Sequence, residues 1–363
     1  MREETREQAY GSGHEAFQRL RNVFAFTRPS TYTTNALYNQ TTAGRRQQST
    51  QGDSLDSDPC LSQEVLEQDI PRHEEAAEEK TVLYLAYGSN LSSAKFRGSR
   101  GIKPLSEINV YVPELKLTFD LPGLPYGEPC FAGSQFRDHP GSHEGSSKED
   151  TDGSPLLAKR EYNKDRWHKP LIGVVYEVTL TDYARIIATE GGGRGYRDMV
   201  VTCYPFPEKY NSTDPVPDLP KTQPFKAHTL LSPDREDSES NPLVRPDPSY
   251  AQPSARYLDL IRTGAAEHDL PISYQTYLSQ IRPYRITTVR QRVGSGLFLT
   301  LWGPLIFLLI TLGAYLADSD GRSPEWLVKV EDKVFVAMWK TYDHGFKQVF
   351  GDGERTIEDV IPR

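Results

Sequence analysis

The chain's first sustained apolar run begins at Val82, where Val82, Leu83, Tyr84, Leu85, Ala86 and Tyr87 follow one another without a polar break and end on Gly88, Ser89 and Asn90. A short continuous run stopped by turn residues predicts a buried strand entering a turn, and it marks a domain start near residue 79. Short stretches rich in β-branched and aromatic residues predict further strands over 110–119, 171–178, 199–204 and 224–231. Helical patterning is sparser. One helix is expected over 181–190, closing on Gly191; a second starts at Ser254 after Pro253, and a third follows Pro271. Short strands with a few helices among them predict an α+β domain over 79–285, a small mixed β-barrel or curled sheet with flanking helices.

The segments outside this pattern differ sharply from one another. Residues 1–78 carry few clustered aliphatics, and 53–79 hold ten acidic residues against one arginine. Such a segment buries too little apolar surface to offset the entropy of ordering it, so disorder is expected over 1–78. Residues 139–167 and 207–221 are polar and read as long surface insertions. Residues 293–317 are the opposite extreme: twenty-five positions without a charge, enough to cross a hydrocarbon core of about 30 Å. A buried core helix rarely stays apolar on every face for so long, so a single transmembrane helix is expected. Pro304 does not forbid it, because neighbours can satisfy the carbonyl it frees. Arg282, Arg285, Arg290 and Arg292 precede the segment and Asp318 and Asp320 follow it, so the positive-inside rule keeps the domain cytoplasmic and sends 318–363 across. Beyond Pro324, Trp326, Val330, Val334, Ala337 and Met338 stripe an amphipathic helix suited to a membrane surface or a partner. With a bilayer in between, that helix would not pack on the domain over 79–285.

Composition removes several function classes. A net charge of -8 with no local basic patch argues against nucleic acid as a partner. Cys60, Cys130 and Cys203 are odd in number and lack any CxxC pair, so neither a disulfide framework nor a zinc site is suggested, and a reducing compartment fits. The first thirty residues contain no apolar core of secretory length. The eight histidines never form HExxH, and no metal site is assigned.

Two places carry candidate chemistry. A strand that stops on Gly88-Ser89-Asn90 presents successive backbone N–H groups, and such a turn can hold a carboxylate or a developing oxyanion; an ordinary strand-ending turn has the same composition. In the helix over 181–190, Tyr183, Ile186, Ile187 and Glu190 fall at i, i+3, i+4 and i+7, which puts a carboxylate on the apolar face. Glu190 also ends the helix, where the dipole disfavours negative charge, so burial and dipole would both raise its pKa toward that of a useful proton acceptor and donor. The alternative is a terminal side chain turned out to water.

The string from Tyr84 to Leu91, the strand with Gly173, Val174, Val175 and Tyr176 before a helix ending Thr189-Glu190-Gly191, and the string from Pro253 to Tyr274 resemble the γ-glutamylcyclotransferases, of a fungal, membrane-anchored type. They occur in the family's order and, with Glu128-Pro129-Cys130-Phe131-Ala132, extend over about two hundred residues, a set more specific than any single motif. The resemblance implies a compact barrel in which Tyr84, Leu85, Ala86, Tyr87, Gly88, Ser89 and Asn90 bind the γ-glutamyl group and Glu190 is the catalytic acid/base. The reaction implied closes the substrate's α-amino nitrogen onto its γ-amide carbonyl, giving 5-oxoproline and a free amine, with no metal or organic cofactor. One departure stands out: the family's tyrosine on the strand around 226–230 aligns with Thr229. Alternatives are a cyclotransferase acting on a glutathione conjugate in secondary metabolism, and an inactive membrane scaffold of the same fold.

Overall fold

The computed structural model describes residues 39–61, 80–137, 164, 166–189, 197–231, 245, 247, 249–316 and 324–356. Its centre is a closed five-stranded barrel in the order β1-β5-β2-β6-β7. The strands are β1 (Thr81–Ala86), β2 (Ser106–Val112), β5 (Leu171–Thr179), β6 (Arg197–Pro205) and β7 (Phe225–Leu231). Neighbours are antiparallel except where β7 meets β1, the parallel contact that closes the ring and leaves no sheet edge to protect. Register places Tyr84, Tyr176 and His228 opposite one another on one face, while Leu85, Val175 and Ile108 share the other. All six are buried, and β1 and β5, covered on both faces, read as near-continuous apolar runs and not as alternations.

The expected strand over 110–119 is two strands. Pro113 and Glu114 break it, so that Val112 ends β2 while Leu115 opens β3 (Leu115–Leu124), whose alternating burial marks one face in the core. The partner of β3 is β4 (Glu128–Phe136), an element the patterning did not predict, and the two form a separate hairpin.

Four of the helices sit where patterning puts them. Helix α2 (Leu180–Thr189) follows β5 directly; α3 (Ala255–Glu267) is capped by the Ser254 hydroxyl, which accepts from the Tyr257 N–H; α4 (Ile272–Gln280) follows Pro271; and α5 (Val289–Leu316) contains Pro304. Val289–Gly313 has a mean hydropathy of 2.0, so one helix is long and apolar enough to cross a membrane.

Disorder is not what the structure shows for 39–61. Helix α1 (Ala43–Gln48) and the turn after it lie against the barrel, held chiefly by polar contacts that composition does not reveal. Arg45 meets Asp56 at 2.6 Å and Glu177 of β5 at 2.9 Å, and the other Asp56 oxygen accepts from the Leu83 N–H. Burial opposes the Arg45 charge, but the two carboxylates outweigh it and raise its pKa. Residues 1–38 and 62–79 lie outside the described residues, as do 138–163, which take in most of the insertion expected over 139–167. Its far end is no surface loop: Lys164 is buried with its ammonium on the Ala251 carbonyl, and Trp167 packs against Tyr274 and Tyr277.

The expected separation of tail and domain is also overturned. Helix α6 (Glu325–Thr341) turns back along α5, and the stretch after it docks on the catalytic domain, where Tyr126 of the β3–β4 turn donates its N–H to the Gly353 carbonyl.

Candidate active site

Strand β1 delivers its end to a turn most of whose side chains serve structure. Along Tyr84, Leu85, Ala86, Tyr87, Gly88, Ser89 and Asn90, only Gly88 and Ser89 keep access to solvent. The Tyr87 hydroxyl donates to the Leu230 carbonyl, and Asn90 Nδ2 donates to the Tyr84 hydroxyl at 3.0 Å. Ser89–Leu91 is a single 3-10 turn begun by Gly88, so its first N–H groups point out of the turn, the geometry that receives an anion.

Three residues far away in sequence fix that turn. Helix α3 lies on it through Gly264, where an added Cβ would come within 2.3 Å of the Leu91 carbonyl carbon. His268 Nε2 donates to the Leu91 carbonyl at 3.1 Å and lies 2.7 Å from the Tyr176 hydroxyl. Tyr257 covers the other side: its hydroxyl accepts from the Ala132 N–H at 3.1 Å and would sit 3.4 Å from a Cβ at Gly88. A branched side chain at Gly88 would therefore press on Tyr257 and Ala132, the wall of the turn. None of these roles was identified from sequence, although Ala132, Tyr257 and Gly264 lie in strings that carried the resemblance.

The expected inward face of α2 is present, with Tyr183, Ile186 and Ile187 all buried. The Tyr183 ring lies 6.4 Å from Tyr84 and 5.4 Å from His228. Burial, then the Asp198 charge, pushes the Tyr183 phenol well above its ordinary pKa, so it stays neutral. Glu190 falls among residues 190–196, outside the described residues.

Beside Tyr183, His228 Nε2 donates to the Leu55 carbonyl at 2.9 Å while Nδ1 faces Asp198 at 3.1 Å. A neutral imidazole has one N–H, so two acceptors call for the imidazolium. Burial works against that charge, but Asp198 and the Leu55 carbonyl prevail and raise the His228 pKa. Next along β7, Thr229 is fully buried and its hydroxyl donates to the Leu85 carbonyl at 3.1 Å, a tie between strands. Among the described residues no cluster of His, Cys, Asp and Glu could hold a metal ion.

The chain is 32% identical over 274 residues to the γ-glutamyl cyclotransferase gliK of Aspergillus fumigatus, a match covering 75% of this chain and 89% of that protein. It belongs to the γ-glutamyl cyclotransferase family. The γ-glutamyl cyclotransferase aclK of Aspergillus oryzae is 31% identical over 283 residues, 76% of this chain and 91% of its own. Residues 288–349 match the family model of the AclK C-terminal domain, which spans α5 and α6 together. A solved structure described as a γ-glutamyl cyclotransferase aligns at 18% identity with a TM-score of 0.37, covering 60% of this chain and 99% of its own. The protein is thus a cyclotransferase, a lyase, built on a small closed barrel with helices around it.

Within a cyclotransferase, the burial pattern sorts the predicted substrate string. Tyr84, Leu85, Ala86, Tyr87 and Asn90 are buried, and only Gly88 and Ser89 within it are open to solvent. Thr229 has its hydroxyl engaged with β1, so the strand position expected to carry a tyrosine makes an internal bond here.

Proposed function

We propose that this cyclotransferase converts a small γ-glutamyl amino acid or peptide to 5-oxoproline and the free amine, with Glu190 as acid/base. The observation that carries the reading is the solvent access of Gly88 and Ser89, at the start of the 3-10 turn that follows β1. Strand β5 ends where β1 begins, Thr179 opposite Thr81, and Tyr183, one turn into α2, already reaches Tyr84. Glu190 is the residue that follows Thr189, the end of α2. Glu190 would take a proton from the α-amino group, whose nitrogen attacks the γ-carbonyl, and would return it to the departing amine. The Gly88 and Ser89 N–H groups would meet the oxyanion, and because ring closure is intramolecular the site chiefly folds the substrate and excludes water.

A glutathione conjugate remains the second reading, favoured by Thr229, which is smaller than the expected tyrosine and whose hydroxyl is turned away to Leu85. Attachment to a membrane through α5, with the domain on the cytoplasmic side, completes the proposal; the arginines before the helix support that side.

The test is Glu190→Gln, with 5-oxoproline measured by mass spectrometry over a panel of γ-glutamyl compounds. Turnover should fall about 10²- to 10⁴-fold, the usual contribution of a positioned acid/base, with circular dichroism unchanged. Near-normal turnover in the well-folded variant would remove Glu190 from the reaction.

A further inference from the structure

Helix α5 has two unlike faces. One carries Phe298, fully buried with Trp302 and Ile306 against Phe335, Met338 and Trp339 of α6 and Tyr126 of the catalytic domain. The other leaves Val289, Val293, Leu297, Leu301, Leu305 and Leu308 exposed, spaced three or four residues apart. Only 24% of its most apolar stretch is buried, so α5 is not the core helix of a soluble domain.

The chain's return decides how that surface can meet a bilayer. Lys329, Glu331, Asp332 and Lys333 sit in the middle of α6, so α6 cannot itself lie across hydrocarbon. Beyond it the tail is tied to the domain at several points. Arg245 bridges Asp343 at 2.7 Å and Glu354 at 3.0 Å, Arg285 donates its N–H to the Thr356 hydroxyl at 2.9 Å, and Gln291 Nε2 donates to the Asp352 carbonyl at 2.7 Å. Gln291 lies in the first turn of α5, so the chain comes back to the place from which α5 leaves.

We propose that α5 and α6 form a hairpin that lies along one leaflet of a lipid bilayer, with the exposed face of α5 sunk into it and α6 on the aqueous side, so that the tail stays beside the catalytic domain. The occupant of the apolar face is lipid, because exposed Arg282, Arg285, Arg290 and Arg292 gather at the foot of the hairpin, where anionic headgroups lie. The hairpin also coincides with the unit matched by the family model, 288–349. The proposal rests on membrane attachment through α5 and replaces a crossing with a one-sided insertion; it is independent of the chemistry at Glu190.

The native thiols offer a way to read topology. Cys60 is exposed on the domain side, whereas Cys130 and Cys203 are buried. In sealed microsomes holding the full chain, a membrane-impermeant maleimide should label Cys60 of the wild type. In a Cys60→Ser, Gln348→Cys variant it should label the tail equally well without detergent. Labelling of the tail only after permeabilisation would show a crossing and overturn the hairpin. Separately, the purified full chain should float with vesicles of phosphatidylcholine and phosphatidylserine. Leu297→Glu with Leu301→Glu should reduce the floating fraction by about tenfold or more, because a charge in hydrocarbon is strongly disfavoured, without altering 5-oxoproline release. Wild type that fails to float would sink the attachment itself, undiminished flotation of the variant would remove this face from the lipid contact, and a lipid-free dimer lost in the variant would assign the face to a second copy.

Discussion

Gly264→Ala is the substitution on which the architecture of the site can be judged most directly, because two physical effects oppose each other there. In an open helix the change is favourable by about 0.8–1.0 kcal/mol, since alanine loses less backbone entropy than glycine. Gly264, however, sits where α3 touches the Ser89–Leu91 turn, and its new Cβ would lie 2.3 Å from the Leu91 carbonyl carbon, 2.5 Å from its Cβ and 2.6 Å from its oxygen. Carbon atoms rest at roughly 3.5–4.0 Å, so helix and turn must part by about 1 Å. Two of the three atoms are backbone, which no rotamer change can move. Overpacking of this kind costs about 1–3 kcal/mol, and with the propensity gain subtracted from the upper end a net loss of about 2 kcal/mol is expected. For a domain of this size that corresponds to a fall of about 4–8 °C in Tm, read by thermal circular dichroism. The same displacement shifts the N–H groups of Gly88 and Ser89, and a misplacement of about 1 Å lowers turnover by about 100-fold. A Tm that holds or rises would refute the close seat of α3 on the turn. A lowered Tm with unchanged 5-oxoproline release would detach the turn from the reaction.

Two further substitutions probe the supports of the barrel. Asp56→Ala leaves the Leu83 N–H unpaired and Arg45 with Glu177 alone, and should destabilise by about 1–3 kcal/mol in urea unfolding; a loss under about 0.5 kcal/mol would show that the 39–61 segment contributes little. The His228 pKa is raised above its ordinary 6.5, so the stabilisation from its pairing with Asp198 is fully present below that value and is lost as pH rises through the raised one. The stability difference between wild type and Asp198→Asn should accordingly shrink as pH rises above neutrality, and a difference that stays constant or grows would exclude the charged pair.

The barrel was legible because closure buries both faces of its strands, so Val82, Leu83, Tyr84, Leu85 and Ala86 announce themselves as an apolar run. The hairpin was less so: β4 mixes Glu128, Gly133, Ser134 and Gln135 with buried Cys130 and Ala132, and it has neither a continuous run nor a clean alternation. Residues 39–61 were misread for a different reason. Acidic composition signals disorder only while its charges lack partners, and Asp56 finds Arg45 within the segment and the Leu83 N–H outside it. At the site, the turn at Gly88 and Ser89 and the inward face of α2 could be read locally. Tyr257, Gly264 and His268 could not, since their work depends on where α3 comes to rest, and neither helix periodicity nor capping encodes that.

The membrane segment shows the same limit at a larger scale. Hydropathy is a property of one helix, and α5 scores alike whether the chain beyond it crosses or returns. The arginines before α5 do not separate the cases either, because positive charge belongs at the cytoplasmic foot of a crossing helix and at the headgroup end of a one-sided hairpin. What distinguishes them lies downstream, in polar residues that look like ordinary tail in sequence: Asp343 and Glu354 converge on Arg245, and the Gly353 and Asp352 carbonyls are taken up by Tyr126 and Gln291. A crossing would have to break each of these bonds and strand Glu354, almost fully buried, without its arginine. If α5 meets lipid as proposed, the topology of that attachment follows from the docking of the tail, and residues that hold 343–356 to the domain should govern the position of the C-terminus more strongly than any change in the apolarity of α5.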